Sequence, residues 1–132
     1  MGVVAGSVLM LVVLGGCGTS LSDSLVGTWT TDLNVIHVEF RDDGTYQATL
    51  RRGGTKMVES GSWSVEGSVL TLTPTSDSPY CAGTVARYEV QVIDDGNRLD
   101  TTVQDDPCQV RLDDLGSGLT RFEDVGPTPT PG

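Results

Sequence analysis

Leu25-Val26-Gly27-Thr28-Trp29-Thr30 opens the part of the chain in which apolar and polar residues begin to alternate. The chain has only two tryptophans, and one stands here, two residues after a glycine at the head of the first run with strand character. Downstream, Ile36, Val38 and Phe40 share one face while His37, Glu39 and Arg41 share the other, the period of two that marks a half-buried strand. Arg41-Asp42-Asp43-Gly44-Thr45 supplies a tight turn, since Asp and Gly tolerate the left-handed backbone that hairpins need. Tyr46, Ala48 and Leu50 then point inward again.

The same rhythm continues along the chain. Lys56 to Val65 puts Met57, Glu59, Gly61, Trp63 and Val65 on one face. Glu59 is the odd member: facing inward it needs a partner, whereas a bulge near Gly61 would turn it to water. Leu70 and Leu72 alternate with threonines, and a polar loop follows from Thr75 to Pro79. Ala86, Tyr88, Val90 and Val92 form the next inward set, Asp94-Asp95-Gly96-Asn97 turns, and Leu99, Thr101 and Val103 follow. After Gln104-Asp105-Asp106-Pro107 breaks the run, Val110 and Leu112 alternate with Gln109 and Arg111 as a further strand, and Leu119 to Glu123 forms the last. This reading gives eight or nine strands and no helix. Short turns between consecutive strands predict an all-β, antiparallel up-and-down β-barrel, because closure removes exposed edges; a β-sandwich is the alternative.

With 132 residues the chain holds one domain. Its first sixteen residues carry no charge, and the apolar run Val8 to Leu14 has the length of a signal-peptide core, too short to span a bilayer. Leu14-Gly15-Gly16-Cys17 resembles the lipobox of bacterial lipoproteins. That resemblance implies cleavage before Cys17 and a diacylglycerol on its thiol, which makes the expected protein exported and anchored to a membrane through lipid. The expected organisation is a signal peptide at 1–16, a lipidated tether at 17–24, a barrel at 25–125 and a Pro/Thr-rich disordered tail at 126–132. With Cys17 lipidated, Cys81 and Cys108 remain as a disulfide pair in an oxidising compartment.

Eighteen acidic and eight basic residues, all after Cys17, give a net charge of −10. Nucleic acid is thereby a poor partner, since binding it takes a basic patch. Two distant cysteines and a single histidine make no structural zinc site, and the paired aspartates 42/43, 94/95, 105/106 and 113/114 match no calcium loop. They read as turn and strand-end residues. His37 is expected on the surface, and no Gly-x-Ser-x-Gly elbow accompanies it. The sequence therefore predicts no enzyme, no cofactor and no metal.

Gly27-Thr28-Trp29, Asp43-Gly44-Thr45-Tyr46, Gly61-Ser62-Trp63 and Asp105-Asp106-Pro107-Cys108-Gln109-Val110-Arg111 occur in that order. Together they resemble the bacterial lipocalin-like proteins over Leu25 to Glu123. The resemblance implies a barrel whose closed end is packed at Gly27 and plugged by the Trp29 indole, with Arg121 lying over the ring. It also implies a small apolar or amphipathic ligand in the lumen, among Phe40, Tyr46, Met57, Trp63, Leu70 and Tyr88, with Glu59 as polar contact. The alternative is a non-enzymatic structural or interaction module of the envelope, its barrel filled by side chains and its protein partner unidentified. A lumen of at least about 300 Å³ separates the two.

Overall fold

The computed structural model describes residues 20–31 and 34–122. The segment expected to be a signal peptide at 1–16, Cys17 and the expected tail at 126–132 lie outside the described residues. Eight antiparallel strands close in chain order: β1 (Gly27–Thr30), β2 (Ile36–Phe40), β3 (Thr45–Leu50), β4 (Lys56–Glu66), β5 (Val69–Pro74), β6 (Ala86–Ile93), β7 (Arg98–Asp105) and β8 (Leu119–Arg121). Pairing of β8 with β1, Trp29 opposite Arg121 and Thr30 opposite Thr120, completes the ring. The architecture is the up-and-down barrel, not the sandwich.

Period-two patterning places the core. Ile36, Val38, Phe40, Tyr46, Leu70, Leu72, Ala86, Tyr88, Val90 and Leu99 are all buried, the inward sets read from the sequence. Val103 shares the inner face with its cross-strand partner Tyr88. It is nonetheless 42% exposed, because β8 pairs with β7 only at Arg98 and Leu99.

Up-and-down order sends the connections to two ends. The turns after β2, β4 and β6 share one end with the entry to β1. Residues 31 and 34–35 and the connections 51–55, 75–85 and 106–118 gather at the other.

Three expectations need correction. Part of the tether expected at 17–24 is a helix, α1 (Leu21–Leu25), whose N-cap Ser20 accepts a bond from the Asp23 amide and whose Leu25 is fully buried. Leu21 in that stretch packs against the core just before buried Leu25, so packing overrides the polar composition around it. The strand expected around Val110 and Leu112 is a helix, α2 (Gln109–Leu115), with Arg111 and Leu115 buried four residues apart on one face. The last strand stops at Arg121.

The bulge in β4 also sits elsewhere. Ala48 pairs with Glu59 but Thr49 pairs with Met57, so Val58 is the extra residue. Glu59 therefore stays inward beside Val58, and Met57 is thrown outward, 37% exposed. Gly61 keeps its place for a steric reason: a Cβ there would lie 2.2 Å from the Thr73 carbonyl oxygen.

Candidate functional site

At the end where β1 enters, the barrel is plugged. Trp29 is fully buried and its indole N–H donates to the Leu25 carbonyl at 2.9 Å, which ties the last turn of α1 to β1. The Arg121 guanidinium lies 4.1 Å from the ring centroid of Trp29. Its N–H groups donate to the carbonyls of Ser24 (2.7 Å), Val26 (3.0 Å) and Gly96 (3.1 Å). Gly27, at φ 128°, is where this arginine passes: a Cβ would stand 2.7 Å from Arg121 Nη1. All three residues expected to close the barrel are thus in contact.

The barrel interior holds a charged cluster. Arg111, on α2, donates to Glu59 Oε2 at 2.8 Å, grips Asp106 through Nε (3.0 Å) and Nη2 (2.9 Å), and bonds the Thr84 carbonyl at 2.6 Å. Tyr46 gives its hydroxyl proton to Glu59 at 2.5 Å, and Tyr88 gives its own to Asp106. Burial first, then the neighbouring carboxylates Glu59 and Asp106, push both phenols far above their usual range, so they stay donors. Burial opposes the charge on Arg111, but Asp106 and Glu59 together hold it firmly protonated. Among the described residues no buried side-chain nitrogen or oxygen lacks a partner, as a charged cluster in a low-dielectric interior requires.

Two tethers place α2 at this end. One is Arg111. The other is the Cys81–Cys108 disulfide, which joins the loop after β5 to the N-cap residue of α2.

The space left beneath α2 is a cavity of about 20 Å³, bordered by Ile36, Tyr46, Glu59, Arg111 and Leu115, room for a single water molecule. Of the seven residues expected to hold a ligand, only Tyr46 and Glu59 border it. Phe40, Leu70 and Tyr88 are packed core. Met57 faces out of the barrel, for the bulge reason given above. Trp63 packs edge-on against Phe40 at 5.2 Å and donates its indole N–H to the Arg41 carbonyl at 2.9 Å, so it serves the β2–β3 turn rather than a lumen.

Two residues escape the sequence reading. Alternation puts Arg111 on a strand and assigns it no role; its spacing of four from Leu115, together with Asp106 five residues before it, is the signal that points inward. His37 was expected at the surface, and although it faces outward it is only 6% exposed, covered by the Phe122 ring at 4.4 Å.

No family model and no curated protein matches the sequence. Solved structures do match it, among them the crystal structure of a lipocalin-like protein from Bacteroides uniformis. The TM-score is 0.54 at 14% identity, and the likeness covers 75% of this chain and 99% of that one. At that identity the likeness is one of architecture alone. With the closed eight-stranded ring, the plugged end and this structural match together, the fold of the chain is lipocalin-like.

Proposed function

We propose that the protein is an exported, lipid-anchored, non-enzymatic module of the cell envelope, whose lipocalin-like barrel is filled by its own side chains and which acts through its outer surfaces. The interior carries this reading. Its cavity of about 20 Å³ compares with roughly 300 Å³ at the small end of ligand pockets. A lumenal ligand would have to lift α2 and break the bonds of Arg111 to Glu59 and Asp106, leaving buried charges unpaired. The reading of a small apolar ligand among Met57, Trp63 and their neighbours has less support, since neither of these two borders the space.

Lipid on Cys17, just upstream of α1, would turn the plugged end toward the membrane. The α2 end then faces away, where Tyr80 and Val110 leave apolar surface exposed. Nucleic acid is no partner for this acidic exterior.

Native mass spectrometry of the full chain extracted from its host in detergent tests the proposal. The expected mass is that of the processed chain plus its lipid. A stoichiometric small-molecule adduct that leaves on unfolding would overturn the filled-barrel reading. Cys17→Ser is expected to move the protein out of the membrane fraction; retention there would sink the anchor.

A further inference from the structure

A second concavity, of about 260 Å³, lies outside the barrel wall over β1, β2 and β3. Its floor carries Thr28, Gln47 and Thr49, and Arg51 and Phe122 stand beside it. Arg51 begins the β3–β4 turn, and its amide is fixed by the Val35 carbonyl at 2.8 Å. Phe122 is fixed likewise, its amide donating to the Thr28 carbonyl at 2.9 Å.

A chain of side-chain hydrogen bonds through the buried His37 orients the exposed arginine. Asn34, at a left-handed φ of 58°, places its Oδ1 within 2.9 Å of the Thr30 hydroxyl and 2.5 Å of His37 Nε2. Asn34 Oδ1 can only accept, so Nε2 carries the proton and Nδ1 presents a lone pair. Arg51 Nη1 reaches that lone pair at 3.4 Å. Burial first, and then Arg51, keep the imidazole below its usual pKa, which holds it neutral and able to accept. Asn34, His37 and Arg51 thus form a relay that aims a guanidinium.

Among the described residues that guanidinium has no counter-charge. Glu39, at the far side of the groove, is held by Arg41 at 3.0 Å, and Arg41 also donates to Gln47 Oε1 at 3.0 Å. Gln47 is left with its amide N–H groups to give. Among the described residues the groove therefore offers one guanidinium, one amide donor, threonine hydroxyls and a phenyl ring, and its Glu39 carboxylate is paired with Arg41.

The geometry points to this groove as a binding site for one acidic sugar residue, a hexuronic acid, with its carboxylate on Arg51, its hydroxyls on Thr28, Thr49 and Gln47, and its C–H face on Phe122. Arg pairs with a carboxylate through two parallel N–H bonds. A single cation suits one carboxylate better than a phosphate dianion, and the threonine hydroxyls and the Gln47 amide suit the hydroxyls of a sugar ring. The volume, under the roughly 300 Å³ of drug-sized pockets, suits one ring. Because the site is outside the wall, it stands whether or not the lumen is filled.

Isothermal titration of the full chain in detergent with sodium glucuronate, glucose and sodium acetate at fixed ionic strength tests this. Glucuronate is expected to bind at least about tenfold more tightly than either control, since each supplies half the contacts. Arg51→Gln, an exposed change that leaves Trp29 fluorescence as it was, is expected to remove that advantage, and Thr49→Val to weaken glucuronate alone. A galacturonate trimer binding more tightly than the monomer assigns the site to a glycan, and equal binding assigns it to the free sugar acid; both uphold it. Glucuronate binding no tighter than glucose, or unchanged in Arg51→Gln, overturns it.

Discussion

Arg111 and Glu59, fifty-two positions apart in the chain, meet at 2.8 Å inside the barrel. Through that contact the β7–β8 connection is fastened to β4, and α2 becomes part of the core instead of a loose strap. One guanidinium faces two carboxylates here, and two tyrosine hydroxyls complete the bonding. Removing the cation is therefore costlier than removing either anion.

Arg111→Ala leaves Glu59 and Asp106 buried without their partner, and breaking a buried pair in that way costs roughly 3–5 kcal/mol. The urea midpoint is expected to fall accordingly. Glu59→Gln keeps shape and can still accept from Tyr46, so its loss is expected to be less than half as large. Equal losses for the two variants would show that the cluster does not work as described.

Asp106 and Asp114 respond to acid in opposite directions. Burial works against ionising Asp106, but bonds from Arg111, Tyr88 and the Cys108 amide outweigh it and hold the carboxyl below its ordinary range. Its folded value lies below the unfolded one of about 3.9, so its stabilisation is complete above that pH and is lost as pH falls through the folded value. Asp114 is raised, by burial first and then by Asp113 and Glu59. It costs stability at neutral pH, and the cost is relieved as pH falls through its raised value. Asp114→Asn is thus expected to stabilise the protein at pH 7 but not in acid, and Asp106→Asn to flatten the acid limb of the stability profile. Urea titrations across pH 3 to 7 check both.

Gly27, Trp29 and Arg121 form a coupled plug. Arg121→Ala removes a cation over an indole, worth on the order of 1–2 kcal/mol when desolvated, together with three carbonyl bonds. Gly27→Ala is strained at φ 128° and displaces the same guanidinium, for a cost of about 1–3 kcal/mol. Since both changes dislodge one group, the double variant is expected to lose clearly less than the sum of the singles. Additive losses in thermal melts followed by tryptophan fluorescence would contradict the shared contact.

Strand faces were legible wherever alternation ran unbroken, as from Ile36 to Leu50 or from Ala86 to Val92, because period two is a direct imprint of one buried face. In β4 the extra Val58 is invisible to that rule: Met57 and Val58 suit either face, an inward Glu59 depends on a partner that alternation does not show, and only the pairing with Ala48 and Thr49 decides. Seven residues of α2 span barely two turns, so Val110 and Leu112 mimic alternation while the true contact pair, Arg111 and Leu115, is half polar. The roles of Gly27, Trp29 and Arg121 come only from the resemblance to lipocalin-like proteins, since nothing in composition or alternation links a first-strand tryptophan to an arginine some ninety residues later. The interior cluster was not legible either, since Glu59 and Arg111 find each other only after the ring closes. His37 does face outward as alternation places it, but its burial is not legible in the sequence, because its cover, Phe122, comes from the far end of the chain.

The Cys81–Cys108 bridge encloses the whole β6–β7 hairpin and ends on the residue that caps α2. Closing a loop of this length restricts the unfolded chain by roughly 3.5 kcal/mol in the chain-entropy account, and the same bond fixes where α2 starts. Reduction is therefore expected to do two separable things. Global stability falls by up to about that amount, seen as a lower urea midpoint. Before global unfolding, the amides of Leu112 and Gly116, which donate to the Cys108 and Leu112 carbonyls at 3.0 and 2.8 Å, exchange with solvent faster while those of β2 and β3 keep their protection. The hold of Arg111 limits how far α2 can leave, so reduced Arg111→Ala is expected to lose α2 protection altogether. Hydrogen exchange that accelerates uniformly across the barrel on reduction would mean that the bridge acts only on the unfolded chain, and that α2 is held by its core contacts alone.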